Sequence, residues 1–158
     1  MTDTSTFLAL IEKGSEHLAT LCRLSDLEKQ AIERQSADDL QSVVMDKRQA
    51  LQALAENTDE RNQLLQQAGF SCDQNGIATW FDSLPASQSQ PLRQAWQQLT
   101  DNLQHAAELN RRNEQIVSRN QKNLEQLLSI LRGHNTKTTI YDQAGLKNYS
   151  ARSTLGKA

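Results

Sequence analysis

The sequence is poor in the residues that punctuate strand-and-turn proteins. Its 158 residues include only two prolines and six glycines, and 4% of them are aromatic. Long polar stretches rich in Gln and Asn favour solvated helix faces over a thick hydrophobic core. We therefore expect an all-α protein.

Sequence signals for membrane insertion or for secretion of this chain are also absent. No stretch approaches the roughly 18 consecutive apolar residues that a membrane-spanning helix requires. The N-terminal residues carry Asp3 instead of a basic segment, and their short apolar run is broken by Glu12 and Lys13. Cys22 and Cys72 form no CxxC pair, which is typical of free thiols in a reducing compartment. We expect a cytoplasmic protein with no membrane insertion.

The motifs of catalysis and metal binding are missing as well. The three histidines lie far apart in the sequence and form no HxxxH, HExxH or Glu-x-x-His pair. Phosphate-binding GxxxxGK[ST], dinucleotide-binding GxGxxG and nucleophile GxSxG motifs do not occur. We expect no enzymatic activity, no metal and no cofactor.

The charge balance gives no sign of nucleic-acid binding. The chain has 17 Lys and Arg residues against 19 Asp and Glu residues. A basic helix face that includes Arg111, Arg119 and Lys122 is interleaved with Glu114 and Glu125, and it has no aromatic residue for base stacking. A solvated helix face explains this pattern, so no nucleic-acid partner is expected.

What the sequence does contain is an apolar seam with heptad spacing. The four–three spacing predicts a long helix over about 88–132 that packs against other helices as in a coiled coil. Twelve residues occupy the seam: Leu92, Trp96, Leu99, Leu103, Ala106, Asn110, Asn113, Val117, Asn120, Leu124, Leu127 and Leu131.

The same spacing predicts two long helices earlier in the chain. They cover about 5–34 and 37–68, with a break at Gln35–Ser36 because Ser36 is a competent N-cap. Nothing at that point forbids a single bent helix over 5–68. Gly69 suits the residue that follows a helix end.

A short helix is expected over about 76–83, after the turn-forming Asn75–Gly76 dipeptide. It places Trp80 and Phe81 at the end of the bundle as a hydrophobic plug. The helices together predict an elongated antiparallel bundle of three long helices and one short helix over residues 1–133. A flexible C-terminal tail is expected over 134–158.

Two basic residues, Lys47 and Arg61, occupy seam positions of the second helix. A long basic side chain can lay its methylene groups along an apolar surface while its charge stays in water. We expect both charged groups to reach solvent.

Three asparagines, Asn110, Asn113 and Asn120, interrupt the seam of the long helix. A polar seam residue can set register and oligomeric state at a cost in stability. It can also weaken self-association and leave hydrogen-bonding groups on a groove that a helix of another protein enters. The pattern leaves both explanations open.

Three stretches, taken in order, carry a family resemblance. One is LQALAENTDERNQLLQQAG over Leu51–Gly69, preceded by Lys47, and another is LNRRNEQIVSRNQKNLEQLLSIL over Leu109–Leu131. The last is Tyr141-Asp142-x-x-Gly145 in a Ser/Thr-rich tail. Together they resemble the FlgN family of flagellar export chaperones, although Asp142 stands where the family commonly has a glycine.

The resemblance implies a chaperone for the hook–filament junction proteins FlgK and FlgL. Such a chaperone binds their C-terminal helical segments, keeps them unassembled and delivers them to the type III export apparatus. Tyr141 and Gly145 match the tail motif associated with docking to the export gate protein FlhA, with Tyr149 as the alternative to Tyr141. The implied client-binding residues are Asn113, Val117, Asn120, Leu124, Leu127, Leu128 and Leu131.

The heptad pattern alone also fits a structural coiled-coil protein that oligomerises without any client. The sequence alone leaves the oligomeric state open, and a homodimer is one of the possibilities. It also does not identify the preferred junction protein.

Overall fold

The computed structural model describes residues 4–132, and every regular element in this range is an α-helix. The helices are α1 (Thr4–Glu33), α2 (Ala37–Gln67), α3 (Gln74–Ser83) and α4 (Ala86–Leu131). The prediction of an all-α protein with three long helices and one short helix is confirmed, and each helix end lies within two residues of its expected position.

Residues 4–113 belong to one compact unit and residues 114–132 to another, and α4 contributes to both. The predicted tail over 134–158, including Tyr141 and Gly145, lies outside the described residues. Within the described range, no helix has both the length and the apolar character needed to cross a membrane.

Two separate helices, and not one bent helix, occupy residues 4–67. Gln35 adopts a left-handed backbone conformation with φ of 55°. The Ser36 N–H then donates to the Ala31 carbonyl at 3.1 Å, which closes the end of α1. The Ser36 hydroxyl accepts from the Asp39 N–H at 3.3 Å, which caps the start of α2.

The end of α2 uses the same geometry with glycine in the left-handed position. Gly69 has φ of 84°, and the Phe70 N–H donates to the Leu65 carbonyl at 3.0 Å. The ring of Phe70 then lies 6.3 Å from that of Trp80 on α3, measured between centroids. This turn therefore brings α3 back onto the bundle.

The start of α3 lies two residues earlier than the sequence predicts. The Asp73 carboxylate accepts from the Gly76 N–H at 2.7 Å and acts as the N-cap. The Asn75–Gly76 dipeptide is therefore part of the first helical turn and not a turn that precedes the helix.

Phe7 is the centre of an aromatic cluster at one end of the 4–113 unit. Its side chain is fully buried, and its ring contacts Trp80 edge-on at 4.7 Å and Phe81 at 6.5 Å. Trp96 on α4 stacks on it at 6.5 Å. The predicted plug of Trp80 and Phe81 thus packs against Phe7 on α1, which in turn contacts Trp96 on α4. The core continues through Ile11, Leu18, Leu21, Leu24, Leu65, Ile77, Leu92 and Leu99.

Helices α1 and α2 run antiparallel and approach closely at Gly14. The Asn57 amide nitrogen donates to the Leu10 carbonyl at 2.9 Å. A methyl group on Gly14 would lie 2.7 Å from the Asn57 side-chain oxygen and 3.1 Å from Leu99. The glycine therefore provides the space in which Asn57 bridges the two helices.

Within the same unit, α4 runs parallel to α1 and antiparallel to α2. Phe7 near the start of α1 contacts Trp96, and Ser25 further along α1 accepts from Asn113. This order places seam residues of α4 against both earlier helices.

Candidate functional site

A polar layer crosses the bundle in the middle of the α4 seam. The Lys47 ammonium donates to the two carboxylate oxygens of Glu28 at 3.0 and 3.2 Å, and to the Asn110 side-chain oxygen at 3.3 Å. The Lys47 and Glu28 side chains are each 13% exposed. The expectation that the Lys47 charge reaches water was wrong, because α1 supplies a carboxylate at this point.

Asn113 belongs to this polar layer. Its residue is 3% exposed, and its amide nitrogen donates to the Ser25 carbonyl and to the Glu28 carboxylate, both at 2.7 Å. The Arg112 guanidinium donates to the Asn113 oxygen at 3.2 Å and pairs with Asp26 at 3.0 Å. Both the oxygen and the nitrogen of the Asn113 amide therefore have hydrogen-bond partners inside the fold. This agrees with the explanation in which a seam asparagine sets the register of the helices.

The other six residues predicted to bind a client are exposed. Leu124 is 58% and Leu131 is 82% exposed, and Asn120 is exposed too. We call the apolar members the leucine face: Val117, Leu124, Leu127, Leu128 and Leu131.

Helical geometry places the leucine face on one side of α4. At about 100° per residue, its five members fall within an arc of about 100°, and Asn120 lies inside that arc. Ile130 is also exposed but points well away from it. Exposed apolar faces of this kind are typical of interaction surfaces.

A cleft of about 390 Å³ opens over the seams of α2 and α4, with part of α1 as its floor. We call it the Arg61 cleft. It is lined by Phe7, Leu18, Leu54, Thr58, Arg61, Asn62, Leu65, Cys72, Asp73, Gln74, Ile77, Trp96, Leu99, Thr100 and Leu103.

Arg61 is 7% exposed, so the expectation that its charge reaches water was also wrong. Its guanidinium lies 5.6 Å from the centroid of the Trp96 ring and donates to the Thr58 hydroxyl at 3.0 Å. Burial lowers the pKa of Arg61 below its ordinary value. The only sequence signal for this site was the position of Arg61 in the seam between Thr58 and Leu65.

Comparisons with known proteins identify the family. The family model described as "FlgN protein" matches residues 1–148. The crystal structure, at 1.48 Å resolution, of a candidate flagella synthesis protein FlgN from Pseudomonas aeruginosa is similar to this chain, with 32% sequence identity and a TM-score of 0.64. The similarity covers 84% of this chain and 100% of that one. No curated protein sequence matches the chain.

The family match therefore spans nearly the whole sequence, and the similarity to the crystal structure extends over the full length of that chain. Both support a role in flagellum synthesis, and the resemblance noted in the sequence is confirmed. The chain belongs to the FlgN family of flagellar chaperones.

Proposed function

We propose that the protein binds the C-terminal helical segments of the junction proteins FlgK and FlgL through its leucine face. By covering these segments in the cytoplasm, it keeps the clients unassembled until it delivers them to the flagellar type III export apparatus. The observation that carries the proposal is the exposure of the five apolar residues of this face on one side of α4.

The chemistry of the leucine face suits an amphipathic helix. Anchors spaced three, four and seven residues apart, such as Leu124, Leu127, Leu128 and Leu131, match the period of a client helix that lies along α4. Burying one leucine side chain contributes about 1.5–3 kcal/mol relative to leaving it exposed. A few anchors can therefore outweigh the cost of ordering the client.

Asn120 supplies a polar position beside these anchors. We assign it the role of fixing the register of the client helix, because a misplaced client would leave its amide without a partner in an apolar contact. Asn113 is left out of the proposed contact, since its amide already bonds to Ser25 and Glu28.

The test is the double variant Leu124→Asp with Leu128→Asp, mixed with a purified FlgK C-terminal fragment. Two carboxylates in the middle of the contact should abolish co-purification, because their desolvation has no compensation. Far-UV circular dichroism should stay close to that of wild type. The matched control is Met45→Asp with Ile130→Asp, which adds the same charge at exposed apolar residues off the leucine face.

The proposal fails if the leucine-face variant still binds the fragment as wild type does. It also fails if that variant unfolds while the control does not, because the leucines would then be part of the core. Binding by the control and not by the leucine-face variant supports it.

Delivery is assigned to the C-terminal tail, with Tyr141 and Gly145 as the residues that dock to FlhA. This part rests on the family motif in the sequence. Tyr141→Ala should leave the affinity for the FlgK fragment near wild type and weaken binding to purified FlhA. Equal loss of both activities would contradict the division of roles.

The exposed leucine face also suits a second function, self-association into a coiled-coil oligomer without a client. Light scattering with and without the FlgK fragment separates the two. A monomer that forms a complex with the fragment supports the chaperone, whereas a stable dimer that ignores the fragment supports the structural protein.

A further inference from the structure

The Arg61 cleft contains a buried cation that has no ion-pair partner among the described residues. Among residues 4–132, no carboxylate pairs with Arg61, and its Nε atom is buried with no hydrogen-bond partner. Within the described part of the chain, the one carboxylate that lines the cleft belongs to Asp73, which accepts from the Gly76 N–H at 2.7 Å and from the Ser71 hydroxyl at 2.8 Å. The Oδ1 atom of Asp73 accepts both of these hydrogen bonds and caps α3, and this carboxylate forms no ion pair with Arg61.

Leaving a charged group buried and unpaired costs stability. The Trp96 ring and the Thr58 hydroxyl compensate for part of this cost, but they leave unused most of the planar donor fork that a guanidinium offers. A carboxylate is the group that this fork binds best, through two parallel hydrogen bonds.

The lining of the cleft around Arg61 is mostly apolar. Leu54 and Leu65 on α2 and Trp96 and Leu99 on α4 line the cleft, and Leu103, which also lines it, is 54% exposed. Two antiparallel helices with facing seams and an exposed rim form a groove that accepts a third helix.

We propose that the Arg61 cleft is a second client contact, where a helix of the junction protein inserts apolar side chains and pairs an Asp or Glu carboxylate with Arg61. This inference rests on the proposed chaperone function. The occupant is defined by its chemistry: a helical client segment with an acidic residue whose neighbours one turn away are apolar.

Arg61→Met tests the charge pair. A methionine fills a similar apolar volume without the charge, so the free protein should unfold at an equal or higher temperature than wild type. Affinity for the FlgK C-terminal fragment, measured by calorimetry, should fall about tenfold or more. The control is Arg93→Met, which removes an exposed arginine that pairs with Asp82 outside the cleft.

The client side of the pair is found by changing each Asp and Glu of the fragment to its amide, one at a time. One change should weaken binding to wild type and have no further effect on the Arg61→Met variant. If no change shows this dependence on Arg61, or if Arg61→Met binds as wild type does, the inference is wrong.

A measurement on the unaltered cleft complements the variants. Cys72 lines the cleft and is exposed. For Cys22, burial and, to a smaller extent, the charge of Asp26 raise the pKa of the thiol, which slows its alkylation. In a Cys22→Ser background, saturating fragment should slow alkylation of Cys72 by iodoacetamide about fivefold or more. An unchanged rate with bound fragment overturns the inference but leaves the leucine-face contact standing. Absence of any fragment binding removes both proposals.

Discussion

The Asn113 amide on α4 donates to the Glu28 carboxylate on α1 across 2.7 Å. Glu28 is also the ion-pair partner of Lys47 on α2, so one carboxylate joins three helices. The next apolar seam residue after Asn113 is Val117, which is exposed. The same heptad seam therefore changes at this point from a residue that holds the bundle to residues that are exposed.

The two seam asparagines should differ sharply in their contribution to stability. Asn113→Ala removes two donors from the buried Ser25 carbonyl and Glu28 carboxylate, and it should lower the free energy of unfolding by about 1–3 kcal/mol. Asn120→Ala, at an exposed position, should change it by less than about 0.5 kcal/mol. Urea unfolding followed by tryptophan fluorescence measures both, and equal effects would contradict the structural role of Asn113.

The Lys47–Glu28 pair should show strong coupling. Lys47→Met leaves a mostly buried carboxylate without its cation, which should cost about 3 kcal/mol. The double variant Lys47→Met with Glu28→Gln should recover much of that loss, because no charge is then left unpaired. A double-mutant cycle of unfolding free energies gives the coupling. Additive single effects would show that the pair contributes no specific interaction.

The heptad spacing was sufficient to predict the three long helices, because each of them repeats an apolar stripe over several turns. Local chemistry also located the first break, since Ser36 and the following acidic residues are typical of a helix start. The left-handed Gln35 had no such signal. Glycine usually takes this position, as Gly69 does at the end of α2, and a glutamine gives no reason to expect it.

The candidate site could be predicted only in part, because a seam does not reveal which of its residues are covered. Asn113 and Asn120 are equivalent in the heptad pattern and differ only because Ser25 and Glu28 lie beside the first. Arg61 shows the same limit. Its burial follows from Trp96, which is 35 residues away in sequence and is brought against it by the path of α4.

The contact between Gly14 and Asn57 should reverse the usual effect of a Gly→Ala change. In a helix, alanine is favoured over glycine by about 1 kcal/mol. In the wild-type background, however, Gly14→Ala should destabilise, since the new methyl group meets the buried Asn57 side chain at 2.7 Å and Leu99 at 3.1 Å.

The control for this prediction is the same change in an Asn57→Ala background. Removal of the amide frees the space that the Gly14→Ala methyl group needs, so the change should become neutral or stabilising there. Thermal unfolding of the four proteins of the cycle gives the sign. A Gly14→Ala change that stabilises both backgrounds would show that the helices separate at no cost.

Stability should depend on the protonation of Asp73 at low pH. The Gly76 N–H and, secondly, the Ser71 hydroxyl bond to this carboxylate and hold its pKa below the ordinary value of 3.8. Because folding favours the ionised form, Asp73 contributes stability above pH 3.8 that is lost as the pH falls through the lowered pKa.

The variant Asp73→Asn keeps an oxygen for the cap but cannot ionise. In urea unfolding between about pH 2.5 and 7, the difference in unfolding free energy between wild type and Asp73→Asn should shrink below about pH 4. Asp73→Ala should be less stable than Asp73→Asn over the whole range, because it lacks the capping oxygen. A difference between wild type and Asp73→Asn that stays constant over this range would show that ionisation of the cap is not linked to folding.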